Sequence, residues 1–165
     1  MNQPAAKESK AEPASLKDQA RNVLEEARMV LPGIQALFGF QLIAVFNQRF
    51  ELMRSELQIV HLIAVALVTI AVALVMAPAA YHRIAERHQV STYFVNLASM
   101  FIAGGMIPLA LGVALDLFVI GELVTESRPV GVALGVFTLV LCSSLWFAFP
   151  VMRRNNQRRG RRAST

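Results

Sequence analysis

At 165 residues, with 55% hydrophobic and 16% charged side chains, the chain is too apolar for an ordinary water-soluble domain, where about a quarter of residues carry charge. Its length suits one compact bundle and leaves no room for a second domain of useful size. The formal charge of +5 does not imply nucleic acid, because Lys and Arg sit in the flanks of apolar stretches, and the single cysteine, Cys142, excludes an intrachain disulfide and a cysteine-based metal or redox pair.

In chain order, residues 1–14 mix Lys, Glu, Pro and small residues without apolar periodicity and are expected to be disordered. The first 28 residues are polar enough that no cleavable signal peptide is expected. Ser15 followed by Asp18 has the form of a helix-capping box. Leu16, Ala20, Val23, Leu24, Ala27 and Leu31 then recur at helical spacing among Lys17, Asp18, Arg21, Glu25 and Arg28. This predicts an N-terminal amphipathic helix, either lying in the headgroup layer or solvated and leading into the membrane.

A first span is expected over about 29–46, with Pro32 near its start and Gln35 and Gln41 making it the least hydrophobic of four. Asn47–Glu56 reads as a short polar loop. The second span, about 57–80, decides the class of the protein. No Lys, Arg, Asp or Glu lies between Glu56 and Arg83, and the run is apolar all round. About 20 helical residues at about 1.5 Å each cross a hydrocarbon core of roughly 30 Å. Ala66, Ala73 and Ala80 repeat at intervals of seven and are expected to form a small-residue seam against a neighbouring helix.

Tyr81–Tyr93 is a polar connection with a tyrosine at each end, the place for interfacial aromatics. The third span covers about 94–124, where Gly104, Gly105 and Pro108 are expected to introduce a bend. Thr125–Arg128 is a tight loop that makes spans three and four antiparallel neighbours. The fourth span runs over about 129–152 from Pro129, well placed as a first helical residue. Gly131 and Gly135 form a Gly-x-x-x-Gly that packs inside the bundle or serves as a dimer face, and Trp146 reads as an interfacial anchor. Residues 153–165 form a basic tail whose arginines suit anionic lipid; with no aromatics interleaved, RNA binding lacks a stacking platform. The fold class that follows is an all-α membrane protein, a four-transmembrane-helix bundle with an N-terminal amphipathic helix over 15–152.

With these spans, thirteen of the 16 Lys and Arg residues fall on one side and only Arg49, Arg54 and Arg128 on the other. The bias predicts cytoplasmic termini.

Asp116 is the main candidate for function, because a carboxylate deep in a membrane is costly and usually faces protein or water. It shares a helical stripe with the small residues Gly105, Pro108 and Gly112, and so is expected to point inward. Counting along the spans puts Gln41 and His61 at similar depth, and His61 is the one side chain there of a type that could change charge around neutral pH. Three fates are open: inter-helix glue, a proton- or ion-linked site, or Asp116 reaching out to the surface. His82, Glu86 and nearby His88 contain metal-binding residue types, but His88 falls on another face, so a hydrated loop and no metal are expected. With one histidine inside a span, haem is disfavoured as well. No nucleophile–base pair or phosphate loop occurs, so no enzyme activity and no cofactor are expected. The reading is an interaction or accessory subunit with a homo-oligomeric or membrane-protein partner. The alternative is an oligomeric proton- or ion-linked carrier or channel using Asp116 and His61.

Two blocks add a resemblance. Glu26-Ala-Arg28-Met-Val-Leu31-Pro32-Gly33-Ile-Gln35-Ala-Leu-Phe-Gly39-Phe-Gln41-Leu opens the first span, and Met76-Ala-Pro78-Ala-Ala-Tyr81-His82-Arg83-Ile84 closes the second. Together they resemble a family of small bacterial multi-pass membrane proteins of unknown function, over roughly 24–154. The resemblance implies a bacterial inner-membrane protein with four spans and supplies no activity. It singles out Glu26, Arg28, Tyr81, His82 and Arg83; the topology places all five at the cytoplasmic surface, a cluster in which shared depth would let Glu26 pair with Arg83.

Overall fold

The computed structural model describes residues 15–85 and 91–154. The expected disordered start, Glu86, Arg87 and His88 of the polar connection, and the tail after Arg154 lie outside the described residues. The described residues form helices and no strand: α1 (Leu16–Val45), α2 (Gln48–Glu51), α3 (Ser55–Ala85), α4 (Thr92–Thr125) and α5 (Arg128–Ser143). A π-helical stretch, Ser144–Ala148, extends α5, and helix continues to Arg154. The runs Leu16–Val45, Ser55–Ala85, Thr92–Thr125 and Arg128–Arg154 are each long and apolar enough to cross a membrane.

Local chemistry sets the helix ends. Ser15 accepts the Asp18 N–H and donates its hydroxyl to the Asp18 carboxylate at 2.6 Å, so Asp18 answers the cap through the hydroxyl. Ser91 caps α4 by accepting from the Phe94 N–H at 3.0 Å. Glu126 ends α4 in the left-handed conformation, with φ 52°, and Pro129 sits in the first turn of α5, where its missing N–H costs nothing. Near the other end of that run Pro150 cannot donate to the Trp146 carbonyl. The backbone widens just before it, and the Phe149 N–H reaches the Ser144 carbonyl five residues back.

The amphipathic lead-in and the first span are one continuous helix. Pro32 lies inside α1 without breaking it, and Ala20, Ala27, Ile34 and Gln41 form a buried stripe at intervals of seven. Ala20, Val23 and Leu24 pack with Tyr81, Phe94, Val95 and Ala98, while Ala27 and Ile34 pack with Val68, Val75 and Ile102. The polar half of α1 is therefore anchored on α3 and α4.

α4 is the centre of the bundle, with α3 and α1 on one side and α5 on the other. Seven-residue repeats face each other across α3 and α4, the period expected of helices that coil around one another. On α3 they are Leu57, Ala64, Ala71 and Pro78, beside His61, Val68 and Val75; on α4 they include Ala98, Gly105, Gly112 and Val119, beside Val95, Ile102 and Asp116. A methyl group at Gly112 would lie 2.8 Å from Val68 Cγ2 and 3.2 Å from the Ala64 carbonyl oxygen. The expected Ala66, Ala73 and Ala80 seam is exposed; the true seam lies two residues earlier, on the opposite side of α3. Both registers repeat at seven, and the glycines of α4 select the one in which the backbones approach.

α4 runs unbroken through Gly104, Gly105 and Pro108. Its other side meets α5 through glycines: a methyl at Gly131 would lie 2.7 Å from the Phe118 carbonyl oxygen, and one at Gly135 would lie 3.0 Å from that of Ala114. Gly131 and Gly135 thus pack within the bundle. α5 buries only Gly131 and Thr138 and leaves Val136, Phe137 and Val140 exposed.

Candidate functional site

α1 ends, α3 begins, α4 ends and α5 begins at one end of the bundle, called here the far end. Gln41, the last member of the α1 stripe, meets His61 of α3 and Asp116 of α4 there. All three belong to the seven-residue repeats, so the packing that aligns the helices also brings their polar groups together. They are 4%, 6% and 8% exposed. Burial removes the third of the fates left open for Asp116, since the carboxyl does not turn to the surface.

The contacts are specific. Gln41 Nε2 donates to Asp116 Oδ2 at 2.6 Å. His61 Nε2 lies 3.0 Å from the Gln41 backbone oxygen, and His61 Nδ1 lies 3.4 Å from Asp116 Oδ1. A carbonyl oxygen only accepts, so Nε2 carries a proton. Nδ1 then meets the carboxyl without repulsion only when one more proton resides on Nδ1 or on Asp116. With such a proton, His61 and Asp116 would meet as an ion pair or as two neutral groups. Phe50 of α2 covers the imidazole edge-on, with ring centroids 5.5 Å apart.

The triad faces a cavity of about 350 Å³ between α1 and α4, roofed by α2 and the residues around it. Its walls are almost entirely apolar, among them Leu37, Phe40, Val113 and Ile120, while Asn47 and Arg49 lie at the roof. Two ion pairs tie the far end together beside it: Arg54 with Glu122, and Arg128 with Glu56 at 3.6 Å. The Gln58 amide also donates to the Phe50 carbonyl at 2.8 Å and holds α2 in place.

Glu122 was not among the candidates read from sequence, yet it is 6% exposed and belongs to this layer. It lies in the last turn of its span, where a charge is ordinarily assigned to the surface. The signal that could have found it is charge balance, since Arg49, Arg54 and Arg128 on the less basic side face Glu51, Glu56, Glu122 and Glu126.

The second candidate cluster is only partly assembled. Tyr81 stacks on Phe94 with centroids 6.1 Å apart, and His82 lies 5.2 Å from the same ring. Arg28 and His82 line a common groove between α1 and α3. Glu26 and Arg83 are exposed and form no ion pair with each other, which corrects the expected pairing. Glu26 lies off the buried stripe of α1, and it is Glu25 that pairs, with Arg21 at 2.8 Å one turn earlier. No group of three His, Cys, Asp or Glu residues able to hold a metal occurs among the described residues.

The chain belongs to a family of unknown function, DUF6328, whose model matches residues 9–150. Both sequence blocks that carried the resemblance fall within that range. No curated protein and no solved structure matches the chain.

Proposed function

We propose that this family member is a non-enzymatic interaction or accessory subunit of the bacterial inner membrane, with both termini in the cytoplasm. The excess of Lys and Arg on the terminal side supports the orientation. The basic tail then touches anionic lipid, and neither nucleic acid nor a cofactor is required.

One observation carries the reading. Among the described residues the buried polar triad lies toward the far end, with Glu122 beside it, and beyond it α3 and α4 close on Ala64, Val68, Ala71 and Val75 against Gly105 and Gly112. A single chain so packed offers a polar site without a polar route across the membrane. α5, held by α4 on one face, has side chains free for lipid or for a partner helix. Purification of the full chain in a mild detergent, with the mass and identity of co-purifying protein determined, tests the reading. A stable assembly with another membrane protein is expected, and a lone monomer under every extraction condition would overturn it. Reporter fusions at both termini test the orientation.

A second reading, a proton-linked carrier built by several chains, is favoured by the buried contact between His61 and Asp116. Asp116→Asn separates the two. Normal assembly with loss of a proton-dependent phenotype supports the carrier, and normal assembly with the phenotype kept at every pH removes it.

A further inference from the structure

The cavity beside the triad is a slot, lined on α1 from Leu37 to Ala44 and on α4 from Val113 to Leu123. The ten residue steps from Val113 to Leu123, at about 1.5 Å each, give it a height of about 15 Å. Exposed Phe40 and Ile120 stand at its side, so it opens toward the bilayer rather than toward water alone. Its volume is within the range of small-molecule sites, which pair apolar walls with a few polar groups.

We propose that this slot binds a lipophilic ring compound bearing carbonyl or hydroxyl oxygens, the chemistry of a membrane quinone or quinol, admitted sideways from the bilayer. This goes beyond the accessory reading and does not depend on it.

The position of the polar groups selects the ligand class. Gln41, His61 and Asp116 lie part-way along the slot, with Leu37 and Val113 on one side of them and Ile120, Leu123 and Met53 on the other. A plain acyl chain filling the slot would lay methylene groups over these polar residues and leave them unsolvated. A fatty acid with its head at the triad would set a second carboxylate against Asp116. If it bound instead through Arg49 at the roof, its chain would again cover the triad. An uncharged oxygen on a flat ring avoids both problems. Phe40 and Phe50 offer aromatic walls to such a ring. His61 and Asp116 place an imidazole and a carboxyl on the wall of the slot, groups whose hydrogen-bonding chemistry suits a carbonyl or a hydroxyl.

The test uses the full chain in phosphatidylcholine nanodiscs, with decyl-benzoquinone as probe and decanol and decanoate as competitors. Saturable uptake above that of empty discs is expected, with the competitors at least about tenfold weaker. Asp116→Asn and Gln41→Leu should each weaken binding about tenfold. Ile120→Trp, which fills the slot away from the triad, should abolish it while thermal unfolding stays at the wild-type temperature. This last variant decides the matter if the triad variants do not fold. Uptake no greater than in empty discs overturns the proposal, as does equal competition by decanol or decanoate. Unchanged binding in a folded Ile120→Trp, or in a folded Asp116→Asn, also overturns it.

Discussion

Two kinds of contact hold α4 in place, and they divide the molecule. Along its seams with α3 and α5 the helix touches its neighbours through absent side chains: Gly105, Gly112, Gly131 and Gly135 each stand where a methyl group would press on a neighbour. In the far-end layer the same helix reaches out instead, through Asp116 to Gln41 and His61 and through Glu122 to Arg54. In lipid no hydrophobic force pulls helices together, so close backbone packing carries association and polar contacts add register. The glycine seams leave no space, whereas the polar layer leaves a slot. Substitutions in the first region should therefore act through volume, and those in the second through unpaired charge and hydrogen bonds.

The largest effect is expected at Gly131. Its added methyl would meet backbone, the Phe118 carbonyl oxygen at 2.7 Å and the Glu122 nitrogen at 3.0 Å, and backbone cannot rotate aside as a side chain can. α5 packs mainly on α4. Gly131→Val should destabilise by about 3 kcal/mol, the upper end for overpacking. Unfolding in mixed micelles measures this, and protease access at Ser127 should rise with it. A cost near zero would show that the α4–α5 seam can open freely.

Asp116→Ala comes next. It strands the Gln41 amide and His61 Nδ1 in a buried layer, and about 1–2 kcal/mol is expected, since hydrogen bonds between membrane helices contribute modestly. Combining it with Gln41→Leu should cost less than the sum, because the amide removed has already lost its acceptor. Strict additivity would mean that the two groups do not interact.

The contrast between regions also governs how much could be read from the chain. The presence of four long apolar helices followed from the absence of charge, and depth counting put Gln41, His61 and Asp116 at one level, because helical rise is fixed by geometry. Register was not readable in the same way. Ala66, Ala73 and Ala80 satisfy the same seven-residue rule as Ala64, Ala71 and Pro78, and only the glycines of the partner helix choose between them. The proposed Glu26 and Arg83 pair failed for a related reason: shared depth does not bring two residues to the same side of their helices. Glu122 escaped because a charge near the end of a span looks like a flank until Arg54 folds over it.

At the Arg54 and Glu122 pair a smaller effect is expected, because Arg54 is largely exposed while Glu122 is buried. Arg54→Ala should cost about 1 kcal/mol. Adding Glu122→Gln should recover part of that loss, since the carboxylate left unpaired in the first variant is then neutral. If the double variant is less stable than Arg54→Ala, the buried carboxylate has another partner in the membrane-bound protein.

The smallest effect, and the sharpest contrast, is between two adjacent glycines of α4. Gly104 has nothing within 4 Å of where a methyl would stand, while the same methyl at Gly105 would lie 3.1 Å from Val75 Cγ2 and 3.4 Å from the Ala71 carbonyl oxygen. Glycine inside a helix costs roughly 0.5–1 kcal/mol relative to alanine through backbone entropy. Gly104→Ala should therefore raise stability by about that amount, with nothing to offset it. Gly105→Ala receives the same gain, but Val75 is β-branched and fully committed to the seam, so it must be displaced together with α3. A net change at or below zero is expected there. Measured side by side in one detergent, equal gains at both positions would mean that α3 and α4 stand farther apart in the membrane than their glycines allow.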